Sequence, residues 1–163
     1  MKKKQVAAIC MATLIATAAL APGTTVWAGL EEAGTVVDGS ELTLFDFVED
    51  EQVVLTRGNH LAHGSVAIDN QGNRVVGLSG ITNCHVDCDT LVCNLYLEQK
   101  DSEGYWNNYG IWKYTKNDHH YLLASTTKRV AADHWYRVKG SHIAILNNEI
   151  ESCVTITDGI YID

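Results

Sequence analysis

Thr90-Leu91-Val92-Cys93-Asn94-Leu95-Tyr96-Leu97-Glu98 carries apolar residues at every second position, and this alternation decides the fold class. Side chains of an extended strand point in turn to opposite faces, so Leu91, Cys93, Leu95 and Leu97 are expected to share one side and face a core. Working outward, short β-branched and aromatic runs recur at Val53–Arg57, Ser65–Asp69, Arg74–Thr82, Thr90–Gln99, Tyr105–Thr115, Tyr121–Arg129, Trp135–Leu146 and Ile150–Ile162. Turn-forming residues separate them: Asn70-Gln71-Gly72-Asn73, Asp101-Ser102-Glu103-Gly104, Asn117-Asp118 and Asn147-Asn148. Gly and Asn in these joins tolerate positive φ. No window from Val53 onward has a convincing helical apolar period. The pattern predicts an all-β domain, a single antiparallel β-sandwich of about 7–8 strands.

Faces can be assigned elsewhere too. In Trp135–Lys139, Tyr136 and Val138 fall on one side, and Trp135, Arg137 and Lys139 on the other. Val130 followed by Tyr136-Arg137-Val138 is reminiscent of the tyrosine-corner strand of immunoglobulin and fibronectin-type sandwiches, which favours a sandwich over a barrel.

Upstream of the strands, Lys2, Lys3 and Lys4 precede an uncharged, apolar and small run from Val6 to Ala21, and Val26-Trp27-Ala28 offers the residues a signal peptidase reads. Residues 1–28 therefore read as a secretory signal helix, cut between Ala28 and Gly29. Its apolar run of about 16 residues falls short of the roughly 20 needed to span a bilayer. The mature form is expected outside the cell, without a membrane anchor.

Loss of the three lysines takes the net charge from −8 to −11. Residues 29–52 hold eight acids and no base. They read as an acidic N-terminal arm, either mobile and partly docked through its apolar residues, or pairing as a strand, Leu42–Val48, on the sandwich edge. Residues 53–163 make the sandwich domain. An acidic balance of this kind argues against nucleic acid or anionic lipid as partner, because both require a basic face.

Four cysteines remain after export, Cys84, Cys88, Cys93 and Cys153, and in a small exported domain they are disulfide candidates. Cys84 with Cys88, and Cys93 with Cys153, is the pairing favoured by spacing. Zinc competes, since Cys84-His85-Val86-Asp87-Cys88-Asp89 and Cys93 gather metal-competent groups, but no clean second ligand pair accompanies them. Neither a metal nor any other cofactor is expected. H-E-x-x-H is absent, and His60, His63, His119 and His120 fall at strand ends and a hairpin, where exposed imidazoles are ordinary. Gly77-Leu78-Ser79-Gly80 is not a nucleophile elbow. The chain is expected not to be an enzyme.

The aromatic stretch Tyr105-Trp106-Asn107-Asn108-Tyr109-Gly110-Ile111-Trp112-Lys113-Tyr114 is more suggestive. Strict alternation places Trp106, Trp112 and Tyr114 on one face and Tyr105 and Tyr109 on the other. If the second face is open, Tyr105 and Tyr109 form a platform for a sugar ring or a protein hot spot. Trp135, beside Arg137 and Lys139, is a second candidate contact. The function expected is a secreted binding module for an extracellular glycan or protein. The alternatives are a bacteriocin-like antimicrobial or toxin-like effector and, with less support, a secreted hydrolase.

A string of landmarks adds a resemblance. Arg57-Gly58 with Leu61 and Gly64, Gly80-x-Thr82, Cys88-Asp89-x-Leu91-Val92, Leu97-Glu98, Trp106, Tyr136-Arg137-Val138-Lys139-Gly140-x-His142, and Glu151-Ser152 with Thr157-Asp158-Gly159-Ile160 span most of Arg57–Ile162. Together they resemble a family of small exported proteins of Gram-positive, largely gut-dwelling bacteria, known only as a domain of unknown function. The resemblance implies a secreted β-sandwich and carries over no catalytic residue. Cys84, Cys93 and Cys153 lie outside its pattern.

Overall fold

A computed structural model of the protein describes residues 41–53 and 60–163. The signal segment, the cut between Ala28 and Gly29, the arm before Glu41 and most of the expected strand Val53–Arg57 lie outside the described residues. The rest is all-β: β1 (Leu42–Thr43), β2 (Phe47–Val53), β3 (Leu61–Asn70), β4 (Val75–Lys100), β5 (Trp106–Arg129), β6 (His134–Leu146), β7 (Glu149–Ile156) and β8 (Gly159–Ile162). They join in one eight-stranded sheet in the order β1-β8-β6-β4-β3-β2, with β5 on β4 and β7 on β6. Every pairing is antiparallel except β1 with β8, which is parallel.

β4 explains the shape. Its first part pairs with β3 through Val76 to Cys84, and its second part with β6 through Thr90 to Gln99. β5 follows along its other flank throughout. Changing neighbours halfway curls the sheet, so β3 comes to lie against β6 and β7 without pairing with them. Two layers result, as expected of a sandwich, but they are halves of one continuous sheet. Backbone approach between the layers is close. A Cβ added at Gly64 on β3 would strike the His142 ring on β6, and one at Gly140 on β6 would strike Val66 on β3. Leu61, Ile68, Leu78, Leu91, Leu95, Leu97, Val138 and Ile160 fill the space between the layers, fully buried.

Two pairs of expected strands turn out to be single ones. Arg74–Thr82 and Thr90–Gln99 belong to the 26-residue β4, and Tyr105–Thr115 and Tyr121–Arg129 to the 24-residue β5. On β4 a bulge takes the place of a join, and β5 runs through Asn117-Asp118 without a register shift. Between Asn83↔Tyr121 and Cys88↔His119, β4 advances five residues while β5 advances two. Asp118 takes φ 53° there without reversing the chain. Conversely Ile150–Ile162 divides at Thr157-Asp158 into β7 and β8. True reversals fall where Gly and Asn predict them: Gly72, Asn73 and Arg74 have φ 78°, 52° and 60°, and Asn147 and Asn148 have φ 51° and 66°. Two successive positive-φ residues between Leu146 and Glu149 give a hairpin turn whose twist matches that of the strands.

Tyr136 is fully buried, and its hydroxyl donates to the Ala131 carbonyl five residues upstream at 3.0 Å.

Candidate functional site

The aromatic platform does not form. A bulge at Tyr109 on β5, where Leu97 opposes Gly110 and Glu98 opposes Asn108, breaks strict alternation. Trp106 therefore lies on the opposite face from Trp112 and Tyr114. It is buried over the Arg137 guanidinium, 4.5 Å from ring centroid to Cζ. That guanidinium is itself buried and donates from Nε to Glu98 Oε2 at 2.7 Å. Tyr109 is half-buried and packs edge-on against Tyr136, ring centroids 5.4 Å apart. Tyr105 is exposed in the turn after β4 and does not share a face with it. Trp135 is half-buried with its ring against Tyr161 at 5.2 Å. Tyr109 and Trp135 therefore each have a packing partner, and Tyr105 and Tyr109 do not stand together as a platform.

The acidic N-terminal strand presents the larger apolar exposure. β2 pairs along β3 from Phe47↔Asp69 to Val53↔His63, and β1 lies beside β8. Hydrogen bonds anchor the entry: Glu41 N–H donates to Asp158 Oδ1 at 2.9 Å and Gly159 N–H to the Glu41 carbonyl at 2.8 Å. Between these anchors Leu44 is 83% and Phe45 74% exposed, flanked by exposed Leu42 and Phe47. Glu41, Asp46, Glu49, Asp50 and Glu51 surround them without a single base in 41–53. The sequence shows both the acids and the apolar residues. What it does not show is that Asp158 and the Glu41 backbone moor the segment while the apolar side chains are left in water.

The cysteines are free thiols. Cys93 and Cys153 do not pair, because each is in register with His142, one on β4 and the other on β7. Two strand spacings separate them, roughly 9–10 Å, beyond the ~7 Å over which Cα atoms can be bridged. They form instead a cross-strand row, Cys93–His142–Cys153, on the core face. His142 is fully buried, with Thr82 Oγ1 at 3.0 Å from Nδ1 and Thr155 Oγ1 at 2.9 Å from Nε2. Burial, and secondarily His63, lowers its pKa to about 4. Cys84 and Cys88 are close enough for their sulfurs to hydrogen-bond, and both are buried. Burial pushes Cys84 and Cys93 up to about 12 and Cys153 to about 11, and raises Cys88 as well. A nucleophilic cysteine needs the opposite shift.

The β4 bulge brings together three groups the sequence leaves scattered. Asp87 protrudes from it toward β5, where Asp118 with φ 53° interrupts the alternation. His119 and His120, which would point apart in a regular strand, thus approach with ring centroids 5.2 Å apart. Asp87 Oδ1 lies 2.8 Å from His120 Nδ1, and Tyr121 N–H donates to His119 Nδ1 at 3.3 Å. One ligand-capable atom from each of Asp87, His119 and His120 lies within 4.8 Å of the others. No spacing rule reveals this, since the contact depends on the β4 bulge lying opposite the positive-φ residue Asp118 of β5.

The model of a family of unknown function, DUF6147, covers residues 28–159. No curated protein and no solved structure matches.

Proposed function

We propose, on the premise that the chain belongs to DUF6147, a family of unknown function, that it is an exported domain that docks a protein partner through its acidic N-terminal strand. Export rests on Lys2–Lys4, the apolar run after them and the Val26-Trp27-Ala28 site. The observation that carries docking is the exposure of Leu44 and Phe45 between two anchored strands. Neighbouring large apolar side chains left in water mark interaction surfaces. Removing each from water contributes roughly 1.5–3 kcal/mol, so the pair alone supports only weak binding. The surrounding acids supply the remaining selectivity by steering a partner with a cationic rim around an apolar groove. A Leu-Phe ridge suits a protein groove better than a sugar, which stacks on flat aromatic faces. The acids repel anionic lipid.

The test compares the wild-type secreted protein with Leu44→Ser/Phe45→Ser, both immobilised and exposed to surface proteins of the producing cells. The wild type should retain a cationic protein, identified by mass spectrometry, that elutes as salt is raised and that the variant fails to retain. The variant should keep the wild-type Tm, because neither side chain is in the core. Equal retention by both would overturn the reading.

A further inference from the structure

The geometry points to a divalent transition-metal site formed by Asp87, His119 and His120 at the kink of the β4–β5 hairpin. Four observations converge on it. First, the chemistry is that of an ion binder: two imidazoles and one carboxylate form a mixed nitrogen and oxygen set that suits Zn²⁺, Cu²⁺ or Ni²⁺ better than the oxygen-seeking Ca²⁺ or Mg²⁺.

Second, the spacing needs little adjustment. Three ligand atoms already lie within 4.8 Å of one another. Around a tetrahedral ion with bonds near 2.0–2.1 Å they would sit about 3.3 Å apart. Asp87 and His120 are now in hydrogen-bond contact at 2.8 Å, sharing a proton where the ion would bridge them. Opening that pair by about half an ångström and drawing His119 inward by side-chain rotation completes the arrangement.

Third, the backbone that presents these groups departs from regular strand geometry on both sides at the same level. β4 spends three surplus residues in its bulge, and Asp118 holds a left-handed φ of 53°. Local strain of this kind gathers at functional sites. Here its effect is to aim three ligands at one point. Fourth, Asp87 and His120 are exposed, so an ion can enter without unfolding. Three protein ligands fit the pattern of an accessible site rather than a closed structural one. The thiols Cys84 and Cys88 of the same bulge are buried, whereas Asp87 and His120 stand on the outer side with their oxygen and nitrogen donors exposed.

The test uses the secreted protein purified without a histidine tag. Competition against a chromogenic chelator should show one Zn²⁺ or Cu²⁺ per chain, undisturbed by a large excess of Mg²⁺ or Ca²⁺. Affinity should fall at least tenfold in His120→Ala and in Asp87→Asn, with Tm in metal-free buffer unchanged. Cu²⁺ should broaden the NMR signals of Asp87, His119 and His120 before any others. Absence of saturable binding, or full affinity in His119→Ala/His120→Ala, would overturn the proposal. Loss of binding in Cys84→Ser/Cys88→Ser with the histidine variants unaffected would overturn it too, by moving the ion to the thiols.

Discussion

His142 is the most constrained polar residue of the core. Both ring nitrogens are met by threonine hydroxyls, and because a hydroxyl both donates and accepts, either neutral tautomer is satisfied. The charged form is not accommodated, which is why burial depresses the pKa to about 4. Its proton linkage runs in one direction. Above about 6.5, neither folded nor unfolded chain protonates this ring, and its contribution is constant. As pH falls from 6.5 to 4 the unfolded chain takes up a proton that the fold refuses, so stability declines by up to about 3 kcal/mol. Below 4 this loss levels off. Urea unfolding at pH 7.5 and pH 4.5 should show a steeper decline for the wild type than for His142→Gln; parallel declines would assign the effect to other groups. Close packing at the same place gives a second expectation. Gly64→Ala pushes a methyl into the His142 ring, and overpacking of this kind costs about 1–3 kcal/mol, measurable as a lower denaturant midpoint.

At the level of elements, alternation was the strongest signal, and it held wherever the ladder is regular. Leu91, Cys93, Leu95 and Leu97 are all fully buried, and Tyr136 and Val138 face the core as their spacing requires. It failed at Trp106, because one extra residue at Tyr109 exchanges the faces of everything before it. Turn chemistry was legible as well, but only as local backbone geometry. Asn147-Asn148 and Asn117-Asp118 look alike in sequence, and both place a residue at positive φ. One reverses the chain and the other only kinks it, and that difference is set by partners far away in sequence. The sites were less legible than the strands for the same reason. Asp87 meets His119 and His120 only through the register of two long strands.

β5 also pairs with β4 alone, leaving its far edge open among the described residues. Lysine side chains and bulges on such an edge discourage pairing with another chain. Exposed Lys113 and the bulge at Tyr109 fit that role. Lys113→Val should therefore raise the sedimentation coefficient in a concentration-dependent way at unchanged secondary structure. A variant that stays monomeric would show that the edge is guarded by other means.

For the whole molecule, the expected separation into two sheets was replaced by one sheet that folds over itself. The cause is the length of β4, which belongs to both layers. Hairpins β3–β4 and β4–β5 join neighbours in sequence, whereas β6 must bypass β5 to reach β4. Pairing of Leu42 with Gly159 and Thr43 with Ile160 must wait for β8, as the pairing of β6 with β8 does. A polypeptide synthesised or threaded through a pore N-terminus first carries Leu44 and Phe45 out early but receives their mooring only with Gly159 and Ile160. Chains cut before Gly159 would lack that mooring, so the setting of Leu44 and Phe45 depends on a strand made more than a hundred residues after them.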